Sequence, residues 1–154
     1  MNEPLDLSAF TVTERLKKIM RLATDEAVKG RHQAVAPEHL LIGIVNDGEG
    51  PAVGIMEALD ISPQTVRLRT KQAMTSDASA IPVPDPPYSP EALIVLVGAM
   101  AEAKEWGHSH LGSEHLLIGL LREGKSLAAQ VMYGLGLTLA EARDQTRQLL
   151  SPSK

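Results

Sequence analysis

The chain has 154 residues, 15 Lys+Arg against 19 Asp+Glu, a formal charge of −4 and no cysteine. That length suits one compact domain or two very small ones, the charge balance leaves no basic footprint for nucleic acid, and the missing cysteine excludes a disulfide scaffold, Cys-ligated zinc and a thiol nucleophile. Aromatics are only 3% (Phe10, Tyr88, Trp106 and Tyr133), so the core must be aliphatic, which favours packed helices. The longest apolar runs, residues 40–45 and 92–97, fall far short of the roughly 20 residues of a membrane span. The acidic start MNEPLDLSAF lacks a signal-peptide pattern. These features predict a soluble protein of a reducing cytoplasm, with no nucleic-acid or membrane partner.

In chain order, Thr11 and Glu14 read as a capping box opening a first helix. Leu16, Ile19, Met20, Ala23 and Ala27 give it one apolar stripe at i, i+3, i+4 spacing. Lys17, Lys18, Arg21, Lys29 and Arg31 make it basic, with Glu14, Asp25 and Glu26 interspersed; a solvated face is expected, or else a docking face. A second helix starts at Glu38, is apolar nearly all round and is therefore predicted to be buried; Gly48 ends it. A short third helix covers residues 52–59, and a fourth begins at Ser62-Pro63. Four prolines then fall between residues 82 and 87. They rule out helix and central strand and predict an extended, stiff connector, residues 76–87.

After the connector the same four helices are predicted again. Ser89-Pro90-Glu91 opens the first, with Ser89 as N-cap and Pro90 in the first turn. The buried helix starts at Glu114 and ends at Gly124. A third spans residues 127–133, and Thr138 with Glu141 caps the fourth. The repetition is literal at its centre: Glu38-His-Leu-Leu-Ile-Gly43 recurs as Glu114-His-Leu-Leu-Ile-Gly119. Residues 58–62 match 134–138, and Arg67 falls opposite Arg143. The offset is 76 residues across this core and 78 at the start, where Phe10 is set against Tyr88. Each repeat (10–75 and 88–150) is small for independent stability. The expectation is a single all-α domain over residues 8–150, a pseudo-two-fold duplication of a four-helix repeat with eight helices in all. No segment alternates with period two for long enough to predict a strand.

The paired Glu-His-Leu-Leu-Ile-Gly motifs, each followed by a Gly-containing turn and a short Ala/Leu helix, resemble the Clp N-terminal domain. This is the doubled Clp repeat that precedes the ATPase modules of Clp unfoldases, and the ClpC branch is the most similar. The resemblance covers about residues 8–150. It implies a non-catalytic module that recognises substrates or adaptors, without a cofactor, for a Clp ATPase. The ATPase modules have no counterpart in these residues, so the chain is either a piece of a longer protein or a free-standing form, and its N-terminus and Ser-Pro-Ser-Lys end favour the free-standing expectation. ClpC-type N-domains bind phosphoarginine, the degradation mark on some bacterial proteins. By motif position the resemblance implies Glu38 and Glu114 for the guanidinium, with Thr11 and Ser89 for the phosphate. The chemistry suits these groups, since helix N-termini attract phosphate and carboxylates fork onto guanidinium. Copy two keeps Gly112-Ser113 before its Glu, whereas copy one has Ala36-Pro37, in a loop read as one residue longer, which makes Glu114 the stronger site. Unfolded proteins are alternative substrates. Phe10 and Tyr88, with Leu7, are either hydrophobic staples or, as in actinobacterial relatives, part of a surface for cyclic peptide antibiotics. A decoy that captures such antibiotics or marked proteins is therefore an alternative function.

Two further patterns are set aside. Residues 119–126 satisfy G-x-x-x-x-G-K-S, but the first Gly lies in a helical run and no strand precedes it, so a small NTPase or hydrolase is the weakest reading. His39 and His115 are expected to be part-buried and to donate to a nearby carbonyl. His108, His110, Glu114 and His115 could be drawn as a metal cluster, but copy one offers only His32 and His39, read as differently spaced, and no His-Glu-x-x-His pattern exists, so no metal is expected.

Overall fold

The apolar stripe of the first helix predicts its buried side: Leu16, Ile19, Ala23 and Ala27 are fully buried in α1 (Glu14–Lys29). The computed structural model describes residues 6–75 and 79–150; of the predicted 76–87 connector, residues 76–78 lie outside the described residues. Seven more helices follow: α2 (Pro37–Asp47), α3 (Pro51–Ala58), α4 (Pro63–Ala73), α5 (Pro90–Glu105), α6 (Ser113–Glu123), α7 (Leu127–Gly134) and α8 (Leu139–Leu150). The fold is all-α, as the duplication implies. Gly48 and Gly124 end α2 and α6 in the left-handed conformation (φ 75° and 73°), which glycine adopts without a Cβ penalty.

The helix-one register differs from the sequence expectation. Thr13, not Thr11, caps α1, its hydroxyl accepting the Leu16 N–H at 3.1 Å. Ser89 caps α5 in the same way, accepting the Ala92 N–H at 3.0 Å. The counterpart of Ser89 is therefore Thr13 and that of Tyr88 is Val12, so the 76-residue offset holds from the first cap onward and Phe10 has no aromatic mate. Thr11 lies instead in a short strand, which the period-two test missed because it has only two residues. β1 (Thr11–Val12) pairs in parallel with β2 (His110–Leu111), and an isolated bridge joins Val35 to Tyr88. These two pairings are images of one another. Thr13 N–H donates to Leu111 O at 3.0 Å, and Ser89 N–H donates to Val35 O at 2.9 Å. Each helix-one start is thus hydrogen-bonded to the loop before the opposite repeat's central helix.

Central helices α2 and α6 are buried and each packs on its own helix one. At the crossings the backbones nearly touch. A Cβ at Gly43 would lie 2.6 Å from Ile19 O, and one at Gly119 would lie 2.4 Å from Val95 O. The short helices are exchanged: α3 packs on α6 and α8, and α7 packs on α2 and α4. One hydrophobic core runs through both repeats.

Candidate functional site

The strand pairing sets the site, because it places Thr13 beside the Leu111-Gly112 turn that leads into α6. A pocket of about 310 Å³ opens there, lined by Thr13 and Arg15 of the first repeat and His110, Ser113 and Glu114 of the second. The Glu114 carboxylate is 3% exposed, and His110 Nε2 lies 3.1 Å from its Oε2. Gly112 makes room for it, since a Cβ there would sit 2.4 Å from Glu114 Oε1. Arg15 supplies the opposite charge. It is held by Asp47, whose Oδ2 lies 2.6 Å from Arg15 Nη1, while Lys18 Nζ lies 3.1 Å from Oδ1. Burial would raise the Asp47 carboxyl pKa, but the hydrogen bonds from Arg15 and Lys18 outweigh it and hold it below its usual value.

The equivalent place in the first repeat is built differently. Ala36 stands where Gly112 stands, Pro37 where Ser113 stands, and Glu91 where Arg15 stands. In the second repeat the buried Ser113 Oγ accepts the Ala52 N–H at 3.2 Å, at the start of α3. Pro37 has no hydroxyl, and Glu38 Oε2 takes the matching N–H of Ala128 at 3.4 Å. Burial pushes the Glu38 carboxyl above its ordinary range; the Ala128 N–H opposes the rise, and the Glu123 and Glu91 carboxylates add to it. Glu38 thus helps to cap α7 in an acidic setting. Ser89 belongs to this Glu38 side, through its bond to Val35. Of the residues expected from the sequence, Glu114 keeps a pocket, Ser89 and Thr11 lie outside it, and Thr13 and Arg15 were missed, while His110 was read only as a possible metal ligand. Setting Thr13-Glu14-Arg15 against Ser89-Pro90-Glu91 at offset 76 was the signal that could have found Thr13 and Arg15.

The histidines form two matched relays. His39 Nδ1 accepts the Ala36 N–H at 2.8 Å, and His115 Nδ1 accepts the Gly112 N–H at 3.0 Å. This reverses the expectation that they donate to carbonyls. With Nδ1 accepting, the neutral ring carries its proton on Nε2, which donates to His32 Nδ1 (3.0 Å) and to His108 Nδ1 (2.8 Å) respectively. His32 Nε2 in turn donates to Thr75 O at 2.8 Å. Both pairs are seven residues apart, so the spacing is the same in the two copies, and the loop before α2 carries no extra residue. Burial lowers the pKa of His39 and of His115 to about 4. His108, His110 and His115 do offer nitrogens within 4.8 Å of one another. A metal ion there needs the lone pair of His115 Nε2, which the Gly112 N–H has already committed to a proton, so the donor set suits a relay better than a metal centre.

The residues expected to form an antibiotic surface are divided. Leu7 and Tyr88 line a groove of about 680 Å³ along α1, with Val12 and Met20. Phe10 lines a second groove of about 650 Å³ along α5, with Val97 and Met100. The G-x-x-x-x-G-K-S string runs from inside α6 through its left-handed cap to Ser126, the N-cap of α7. Gly119 there serves the α5–α6 crossing.

The Clp repeat (R) N-terminal domain profile matches residues 11–135 and 87–152. The chain is 36% identical over 142 residues to the negative regulator of genetic competence ClpC/MecB of Bacillus subtilis, covering 92% of this chain but only 17% of that protein. Its fold matches the Hsp104 N-terminal domain of Candida albicans with a TM-score of 0.76 at 16% identity, covering 94% of each chain. It also matches a ClpV N-domain solved in complex with a VipB peptide, with a TM-score of 0.69 at 14% identity, covering 95% of this chain and 96% of that one. No helix among the described residues is long and apolar enough to cross a membrane.

Proposed function

The chain belongs to the Clp repeat N-terminal domain family, and from that premise we propose that it is a non-catalytic recognition module. It binds substrates or adaptors of the Clp proteolysis system and modulates their delivery to a Clp ATPase. Its ligand is phosphoarginine on a marked protein, taken at one site, the Glu114 pocket. The observation that carries this reading is the opposed charge across that pocket. Glu114 presents a carboxylate for the guanidinium, and Arg15, with the Thr13 hydroxyl at the N-terminus of α1, faces it for the phosphate. The Glu38 side has Glu91 in place of Arg15 and repels phosphate.

Calorimetry with free phosphoarginine tests this. Glu114→Ala is expected to weaken binding about 10- to 100-fold, the range of a hydrogen bond to a charged group. Glu38→Ala is expected to change it less than twofold. No heat with the wild-type chain sinks the phosphoarginine assignment, and equal loss in both variants sinks the one-site reading.

A second reading, the decoy, draws on the α1 groove. Its apolar floor of Leu7, Val12, Met20 and Tyr88 and its volume of about 680 Å³ suit a peptide-sized ligand. In a Clp ATPase–protease assay poisoned with a cyclic peptide antibiotic, added chain restores degradation if it is a decoy. Unchanged inhibition removes that reading.

A further inference from the structure

The outer face of α5 is apolar where that of α1 is charged. At offset 76, Ile94, Val97 and Ala101 replace Lys18, Arg21 and Asp25. Ile94 and Val97 are 57% and 54% exposed, which is unusual for β-branched residues on a helix that also carries a full buried stripe. The face is bounded by an acid at one end, Glu91, and a base at the other, Lys104, both exposed. Beside it runs the Phe10 groove, whose walls include Val97, Met100 and Ala101.

We propose that the occupant of this face is a second copy of the same chain, docked through α5 in an antiparallel, two-fold pair. The ends and the centre of the helix argue for it together. A two-fold axis between Val97 and Gly98 sets Ile94 against Ala101 of the second copy, large against small, with the two Val97 side chains beside the axis. A crossing of about 20°, a preferred class of helix packing, then brings each Lys104 within reach of the second copy's Glu91. Both contacts occur twice, as an isologous interface requires. The Ile94 side chain of each copy enters the Phe10 groove of the other. The same docking through α1 would set Lys18 against Asp25 and Arg21 against Leu22, so charged side chains would have to be desolvated where α5 offers an apolar contact.

Sedimentation equilibrium of the 154-residue chain, from about 1 μM to 1 mM, tests the proposal. The expected result is a mass that rises with concentration from one chain to two. Val97→Glu places two carboxylates beside the axis and is expected to hold the chain monomeric throughout, as is Ile94→Lys. Both positions are exposed, and thermal melting checks that the variants fold. Lys104→Glu is expected to weaken the dimer about fivefold or more, and Lys104→Glu with Glu91→Lys to restore it. A single-chain mass at every concentration overturns the proposal and leaves the face to a different partner. A dimer indifferent to Val97→Glu and Ile94→Lys overturns it as well.

Discussion

Glu38 and Glu114 open identical six-residue motifs, yet they do different work. Glu114 folds over Gly112 into a pocket with Arg15 across from it, while Glu38 is turned by Ala36 and Pro37 toward the Ala128 N–H. The lesson is that a duplicated motif fixes the helix but not the site. Each site borrows its second wall from the other repeat, and there Thr13-Glu14-Arg15 and Ser89-Pro90-Glu91 have diverged in charge. The same divergence marks the ion pairs under the helices. Glu102 is 1% exposed and accepts both Arg143 bonds (3.0 and 2.9 Å), Arg122 Nη1 (3.0 Å) and Trp106 Nε1 (2.8 Å). Among the described residues, its counterpart Glu26 has Asn46 at 3.2 Å and Lys71 at 3.9 Å.

The largest expected effect breaks that last contrast. Glu102→Ala takes the acceptor from Arg143 and from the Trp106 N–H and leaves Arg122 with Glu105 alone, and is expected to cost about 3 kcal/mol, whereas Glu26→Ala costs less than about 1 kcal/mol. Urea denaturation of both variants measures the difference, and equal costs would erase the asymmetry. The next effect treats the repeats alike. The folded His39 and His115 pKa values of about 4 lie below the unfolded value, so the unfolded chain binds more protons between about pH 6.5 and 4. Stability is full above that window and falls as pH drops through it, by on the order of a few kcal/mol for the pair. A urea titration across pH 7.5 to 4 checks this with about three points per unit. Gln in place of either histidine removes that residue's share of the slope.

Gly43→Ala and Gly119→Ala are expected to destabilise by about 1–3 kcal/mol each, because the new methyl meets a backbone oxygen that cannot yield cheaply. Similar melting losses in the two variants would show that the crossings stayed equal while the sites diverged. A smaller change sharpens the site comparison itself. Pro37→Ser with Glu91→Arg restores on the Glu38 side the hydroxyl and the cation of the other pocket. If charge and hydroxyl are what separate the two, the calorimetric stoichiometry for phosphoarginine rises from one site to two. If the Ala36 methyl alone decides, it stays at one until Ala36→Gly is added.

Much of the fold was legible. The aliphatic stripes, the Gly48 and Gly124 stops and the literal repeat predict eight helices in two sets, because helix period and termination are local properties of the chain. Within the candidate site, the difference in surroundings between Glu114 and Glu38 was also legible, from Gly112-Ser113 against Ala36-Pro37. The cap of α1 was not. Thr11 and Thr13 are both able to cap, and the choice was made by Leu111 O, which accepts the Thr13 N–H from the other repeat. With the cap misplaced by two residues, Arg15 lost its counterpart Glu91 and the charge of the pocket went unread. The histidine relays were hidden for a similar reason, since the proton position on His115 depends on the Gly112 N–H and on a partner seven residues back.

The sequence by itself determined that this is a duplicated, cysteine-free helical domain with two buried central helices, because periodicity and repetition are written residue by residue. Only the tertiary structure decided that the two repeats cross at their starts, that α3 and α7 change sides, and that one pocket joins Thr13 and Arg15 to Glu114. Those contacts span roughly a hundred residues of chain, and backbone hydrogen bonds between segments so far apart leave no mark in local pattern.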